Sequence, residues 1–590
     1  MKIALAQLNF RVGDFTENVS RIIGTIEKAK SAGAGLVVFA ELSVCGYPPR
    51  DFLEFDDFIR RCDESVNAIA AACTGIAAIV GAPSVNPAPK GKPLYNTAFF
   101  LAGGKILARI HKTLLPNYDV FDEYRYFEPN RLQPSVVEWQ GYRFALTICE
   151  DLWNIADDPL YVRNPMDDLT GLNTDVLINI AASPFNYNQA RTRLDILSRN
   201  AKTYNLPVVY VNQVGGQTEL VFDGGSLVLD AAGVVVAGLR QFEEDLQVVE
   251  IPKKEHPKEQ ETDKTLEPPI IQPNPQILKS PNPQFPESPN PQILKSPNSP
   301  IVSIFDFTSP ETSSLIYHAL VLGIRDYFGK LGFQKAVLGL SGGIDSAVTL
   351  VLAVAALGRE NVRAILLPSQ YSSDHSITDA RLMAENLEVP YDIIPIEGAF
   401  RSLELTLEPY FTGFPFNLTE ENIQARIRGV ILMALSNKFG YIVLNTSNKS
   451  EAAVGYGTLY GDMCGGLSVL GDVYKVQVYS LARYINRESF IIPENTILKP
   501  PSAELRPGQK DSDSLPEYEI LDQILFRYIE QRTGPDELIR GGFDERTVRR
   551  VLKLVNTNEY KRAQTPPVLR VSPKAFGMGR RMPIVARYLS

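Results

Sequence analysis

At 590 residues the chain is longer than one hydrophobic core can serve, and chains of this length divide into roughly two to four domains. An apolar fraction of 44% with 22% charged residues is that of a folded globular protein, which excludes disordered and fibrous classes. A net charge of −9 argues against a general nucleic-acid binder, and no apolar run is long enough to span a bilayer.

The five cysteines are scattered and odd in number, which fits a reducing cytoplasm better than a disulfide framework. The four histidines lie far apart and no CxxC pair occurs, so no zinc site is expected. The opening MKIALAQLNFRVGDF alternates apolar with polar residues and meets charge too early for a signal peptide. It predicts a first strand.

Strands are then predicted in GLVVFAEL, IAAIVGAP, NTAFFLA, KILARIHK, RFALTICE, DVLINIAAS and PVVYVNQVG, several of them apolar on both faces. Helical periodicity marks ENVSRIIGTIEKAKSAG and ARTRLDILSRNAKTYN. The expectation for the first half is a layered α/β domain with buried sheets, over residues 1–252. Residues 253–303 change character. The decapeptide PNPQILKSPN occurs there twice, at Pro273–Asn282 and Pro289–Asn298. Its prolines remove backbone donors and favour extended chain, so this segment is expected to be a disordered spacer. In residues 304–590, helix SSLIYHALVLGIRDYFGKLG precedes strand KAVLGLS and helix DSAVTLVLAVAALG. Strands VRAILLP, YDIIPI and YIVLNTS then alternate with helices starting near Asp374 and Glu420, the pattern of a doubly wound parallel sheet.

The most specific stretch of the chain is LGLSGGIDSAV. Strand runs into Ser341-Gly342-Gly343, and Ile344-Asp345-Ser346 opens a helix. Paired glycines let backbone approach an anion, and the free amides at the helix start point toward it. The loop has no Walker lysine, and Asp345 would repel phosphates unless a divalent cation lay between, so magnesium is implied. SGGIDS resembles the pyrophosphatase loop of adenylate-forming ATP enzymes, which leaves XMP, aspartate, a tRNA base or deamido-NAD open as the group activated. The segments VLNTSNKSEAAVGYGTLYGDMCGGLSVLGDVYKVQV, PPSAELRPGQKDSDSLPEYEILD and NEYKRAQTPP are similar to those of NAD synthetases. That resemblance implies ATP contacts at Gly339, Leu340, Ser341, Gly342, Gly343, Ile344, Asp345, Ser346 and Thr446. It also implies deamido-NAD contacts at Asn422, Glu451 and Lys561, further nucleotide contacts at Asp462, Lys475 and Asp511, and Asp345 with Glu451 as metal ligands.

A synthetase that adds nitrogen needs a source of it. Glu41, Lys112 and Cys149 each follow a predicted strand, at the carboxyl edge where layered α/β domains gather their chemistry. A carboxylate can deprotonate a thiol, and an ammonium can stabilise thiolate and oxyanion. A lone cysteine at a strand end is usually a small core hydrophobe, and Cys45, Cys62, Cys73 and Cys464 are read that way. For Cys149 the set resembles the Glu-Lys-Cys triad of the nitrilase superfamily. The resemblance implies an α-β-β-α four-layer sandwich, with Glu41 as proton acceptor, Lys112 as second catalytic group and Cys149 as nucleophile. It further implies glutamine contacts at Tyr118, Ser183 and Gln189, and a supporting Glu123. Glu150 and Asp151 are read as structural acids, and Trp153 as packing.

Outside the spacer the whole chain resembles the glutamine-dependent NAD synthetases. The resemblance implies glutamine, ATP and deamido-NAD as substrates, Mg²⁺, a cytoplasmic homo-oligomer, an internal route for ammonia, and no nucleic-acid or membrane partner. The second half is expected to take the adenine-nucleotide α-hydrolase form of the doubly wound sheet. Two alternatives stand beside this: an ATP-pyrophosphatase amidotransferase like the GMP or asparagine synthetases, and an ammonia-only synthetase with a scaffold nitrilase half.

Overall fold

The computed structural model describes residues 1–131, 136–155, 157, 159–169, 172–254 and 308–588. The duplicated spacer motif lies outside the described residues.

The first half is built on two six-stranded sheets laid face to face. The first orders its strands Asp245–Glu250, Lys2–Gln7, Leu36–Val38, Ala77–Val85, Leu94–Ala102 and Lys105–His111. In the second the order is Val235–Gly238, Leu227–Leu229, Val208–Asn212, Val176–Ala181, Tyr142–Ile148 and Val136–Trp139. The two-residue period of a strand explains the layering. Along Lys2–Gln7, Ile3 and Leu5 enter the core between the sheets, while Ala4 and Ala6 face the outer helices. Leu36 and Val38 divide from Val37 in the same way. Helices Phe15–Ser31 and Asp56–Ala72 cover one sheet, and Gln189–Tyr204 packs on the other, giving the expected four-layer α-β-β-α sandwich. Strand Asp245–Glu250, which the pattern reading did not single out, pairs antiparallel with Lys2–Gln7 and ties the end of the first half to its beginning.

The stretch PVVYVNQVG forms two strands instead of one. Val208–Asn212 stays in its sheet, whereas Val214–Gln217 leaves it to form a hairpin with Leu220–Asp223. This hairpin packs on helix Pro310–Leu331 of the second half. A Cβ on Gly216 would sit only 3.1 Å from the Asp326 side chain and 3.3 Å from the Gly323 backbone, so the contact needs a bare backbone there. Phe185, Tyr187, Val214, Val221 and Phe242 thereby join the core of the second half.

That second core surrounds one five-stranded parallel sheet, ordered Tyr391–Ile393, Val362–Leu366, Ala336–Gly339, Ile442–Asn445 and Leu467–Ser468. Ala336 and Leu338 point into the core shared with helices Pro310–Leu331 and Ile344–Leu357, while Val337 faces Phe400, Ile423 and Ile427 on the opposite side. The sheet is doubly wound, as expected. The order reverses at Ala336–Gly339, which pairs with Val362–Leu366 on one side and Ile442–Asn445 on the other. Doubly wound sheets bind ligands at this switch point, and SGGIDS begins there.

Candidate active sites

In the first half, the carboxyl end of strand Tyr142–Ile148 turns abruptly into the short helix Cys149–Ile155. Cys149 takes the turn with φ 43, a left-handed conformation that is costly for a residue with a Cβ. Asp151 holds the turn in place. Its carboxylate accepts the amides of Ile148 (3.0 Å), Thr113 (2.9 Å) and Leu114 (2.8 Å), so the residues flanking Lys112 and Cys149 are tied to one group. That is the structural role expected for it.

Beside Cys149 lies a closed network of charges. Lys112 donates to Glu41 (2.7 Å) and to both oxygens of Glu123 (2.9 and 2.8 Å). Glu41 also accepts from Asn96 Nδ2 (2.7 Å) and the Ala182 amide (3.0 Å), and Glu123 accepts from the Tyr47 hydroxyl (2.9 Å). All three charged residues are at most 5% exposed, so their solvation has been replaced by fixed partners. Burial alone would push the Lys112 ammonium down, but Glu123 and Glu41 outweigh it and hold it well above its ordinary range. Burial also drives the Cys149 thiol well up; Glu41 adds to this and Lys112 opposes it. Burial therefore favours the neutral thiol over the free thiolate at Cys149.

Cys149 opens onto a pocket that also contains Tyr118, Ser183 and Gln189. The Tyr118 hydroxyl donates to Glu150 (2.8 Å), and Gln189 Nε2 donates to Ser183 Oγ (3.3 Å). Glu150 and Trp153, read from sequence as a structural acid and a packing residue, lie on this wall as well. Pattern reading missed Asn96 and Tyr47, which the fold brings in across the sheet with no local motif to mark them. It also missed Glu530, Arg532, Arg570 and Lys574, which reach the pocket from the second half.

The second site surrounds SGGIDS. Ser341 and Ser346 approach each other (3.2 Å), and Ser341 Oγ accepts the Gly343 amide (3.2 Å), which folds the loop back on itself. Gly342 has φ 79, and a Cβ there would meet the Ser376 carbonyl at 2.2 Å. Gly342 thus lets the loop pack against its neighbour, while Gly339, Leu340, Ser341, Gly343, Ile344, Asp345 and Ser346 line the cavity. Thr446, Glu451, Asp462, Lys475 and Asp511 line it too, joined by Arg428 and Cys464, the latter read from sequence as a core thiol. Asn422 and Lys561 are not on this wall. Asn422 accepts from the Thr458 hydroxyl (2.7 Å), and Lys561 donates to the Gly455 and Gly457 carbonyls (2.7 and 2.8 Å). Both brace the segment that carries Tyr456, itself a lining residue.

A short-range motif explains how Glu451 is held. In SNKSE, Asn448 and Glu451 form a reciprocal capping box at the start of helix Lys449–Val454. Asn448 Nδ2 also donates to Asp345 (2.9 Å), bringing the helix to the phosphate loop. Lys475 lies 2.5 Å from Asp345 and 3.6 Å from Glu451. Burial, with Asp345 adding repulsion against partial relief from Lys475, pushes the Glu451 carboxyl up to about 8. Among the described residues no three acids, histidines or cysteines converge as a ready metal cage. Magnesium does not need one: one or two carboxylates plus water and substrate phosphates suffice, a donor set that Asp345 and Glu451 would fit.

Known proteins agree with both halves. The carbon-nitrogen hydrolase family profile matches residues 2–256, and the NAD synthase profile matches residues 316–565. The glutamine-dependent NAD(+) synthetase of Synechocystis sp. is 41% identical over 600 aligned positions, covering 99% of each chain. That of Thermotoga maritima is 41% identical, covering 100% of this chain and 99% of its own. The solved glutamine-dependent NAD+ synthetase of Acinetobacter baumannii, in complex with ADP, is 37% identical with a TM-score of 0.71, covering 99% of this chain and 98% of its own. With both profiles matched and relatives aligned from end to end, the chain belongs to the glutamine-dependent NAD(+) synthetase family.

Proposed function

We propose that this chain is a carbon–nitrogen ligase that makes NAD from deamido-NAD, ATP and glutamine. Residues 1–252 would serve as the glutaminase and residues 304–590 as the synthetase, joined by the spacer at 253–303. In the first step the Cys149 sulfur adds to the γ-carbonyl carbon of glutamine while Glu41 takes the thiol proton. The Lys112 ammonium stabilises the oxyanion, and Glu41 returns the proton to the nitrogen as the C–N bond breaks and ammonia leaves. Water then gives a proton to Glu41 and adds to the thioester. The C–S bond breaks, Cys149 regains its proton, and glutamate departs.

In the second half a nicotinate carboxylate oxygen of deamido-NAD attacks the α-phosphorus of ATP, and pyrophosphate leaves. Ammonia adds to the resulting acyl adenylate, loses a proton and displaces AMP. The amides and hydroxyls of Ser341 to Ser346 are suited to hold the phosphates, and Lys475 to balance charge on the departing group. Asp345 and Glu451 would hold Mg²⁺, which when bound neutralises phosphate charge. We extend the reading to a cytoplasmic homo-oligomer with an internal ammonia route.

One observation carries the proposal: a single helix start serves both sites. Asn448 and Glu451 face Asp345, while Lys449 between them donates to Glu530 (2.8 Å), whose other oxygen takes the Tyr187 hydroxyl (2.6 Å) beside the glutamine pocket. The test is Cys149→Ala with each nitrogen donor. Glutamine-driven NAD synthesis should fall by about 1,000-fold or more while ammonia-driven synthesis stays within about twofold. Retained glutamine-driven synthesis would reject Cys149 as the nucleophile.

A further inference from the structure

The cations on the wall of the Cys149 pocket all lie on one side of the boundary between the halves. Among the described residues, the first half contributes two acids to its wall, Asp119 and Glu150, and no cation. All three cations on the wall, Arg532, Arg570 and Lys574, come from the second half, together with one acid, Glu530, whose two oxygens are already taken by Lys449 and Tyr187. Free glutamine enters as a zwitterion, and its amide must reach Cys149. Its α-ammonium suits the acids of the first half, but its α-carboxylate finds only neutral donors there, Ser183 and Asn186 among them. Gln189, on the same wall, is neutral.

Two of the three cations are already engaged. Arg570 lies 2.5 Å from Asp119 and also donates to the Ser572 and Pro573 carbonyls, and Lys574 lies 3.2 Å from Asp119. The third is different. Arg532 is exposed and forms no ion pair or side-chain hydrogen bond with any described residue. Its backbone has φ 58, just past the end of helix Tyr518–Ile529, where the Thr533 amide reaches back to the Arg527 carbonyl (2.9 Å). That conformation strains an L-residue and suits glycine, so the local fold gives no reason for arginine. A strained backbone carrying an unpartnered guanidinium onto a substrate pocket points to a ligand for that guanidinium.

We propose that Arg532 reads the α-carboxylate of glutamine, so that the synthetase half completes the substrate site of the glutaminase half. This rests on the proposed function above. It makes Arg532 a specificity residue: the pocket would select a free amino acid over a simple amide, and only when the second half is docked.

The test compares L-glutamine with L-glutamine α-amide, whose carboxylate is replaced by a neutral carboxamide, in the full chain and in Arg532→Gly and Arg532→Lys. Glycine relieves the positive φ, so Arg532→Gly should melt within about 2 °C of the parent. Its KM for glutamine should rise about 10- to 100-fold, the usual loss for one charge-assisted contact, with KM for the α-amide unchanged. Arg532→Lys should recover part of the loss. Ammonia-driven synthesis bypasses the pocket and reports on the other site. An unchanged glutamine KM in Arg532→Gly, an equal rise for both amides, or a parallel fall in ammonia-driven synthesis would each overturn the proposal. Failure of the underlying reading looks different: the parent chain would then release no glutamate from glutamine, which removes both.

Discussion

The two sites of this chain handle charge in opposite ways. Around Cys149 the ions are sealed, with Lys112, Glu41 and Glu123 pairing among themselves out of reach of water. Around the phosphate loop they remain partly open. The Asp345 and Glu451 side chains keep 18% and 17% of their exposure, and a capping box, a lysine and an asparagine hold them near one another. A nucleophilic site that works through one side chain can be fully assembled before substrate arrives. A site that must balance a triphosphate cannot, because much of its charge arrives with the ligand. The sealed site should therefore be fragile in fold and function together, and the open one should lose chemistry without losing structure.

Lys112→Met is the harshest way to break that contrast. It leaves Glu41 and Glu123 buried without their shared cation, which typically costs about 3–5 kcal/mol. The first half should melt well below the parent in calorimetry, and glutamine hydrolysis should become undetectable. Near-parental melting would mean that the acids are not held together by Lys112. Asp345→Asn probes the open site. ATP-dependent pyrophosphate release should fall about 100-fold, while melting and glutamine hydrolysis change little, since Asn448 and Lys475 retain other neighbours. If melting fell as far as in Lys112→Met, the open site would be structural too and the comparison would collapse.

The same contrast explains what was legible in the sequence. Glu41, Lys112 and Cys149 could be read because each lies at or just past the carboxyl end of a strand that local pattern marks. SGGIDS could be read because strand, paired glycines and helix are contiguous, whereas Glu451 came only through the family resemblance, and the capping box that holds it emerged with the structure. Asn96 and Tyr47 could not, since they reach the acids only through sheet pairing and a loop contact. The departure of Val214–Gln217 from its sheet was hidden for a related reason: its partner helix lies in the other half of the chain. Arg532 was the least legible. It sits in no motif, and what marks it is a backbone angle and the absence of a partner among the described residues.

A smaller effect tests how tightly the sealed site is closed against acid. His111, the neighbour of Lys112, stacks on Tyr95 (4.2 Å) and shares a hydrogen bond between Nδ1 and the Thr97 hydroxyl (2.8 Å). Burial, with Arg109 adding repulsion, lowers the imidazole from 6.5 to about 4. A folded-state value below the unfolded one means that the unfolded chain binds the proton first. The stabilising contribution is therefore whole above pH 6.5 and is lost progressively as the pH falls toward 4. The full shift corresponds to at most about 3 kcal/mol, less whatever solvent reaches the half-buried ring. Unfolding of the parent and of His111→Gln, followed in urea from pH 7 downward, should converge as the medium becomes acidic, because glutamine keeps a hydrogen-bonding group for Thr97 but does not titrate. Parallel curves would show that water already reaches this edge of the sheet, and that the charge network beside it is closed by its ion pairs alone.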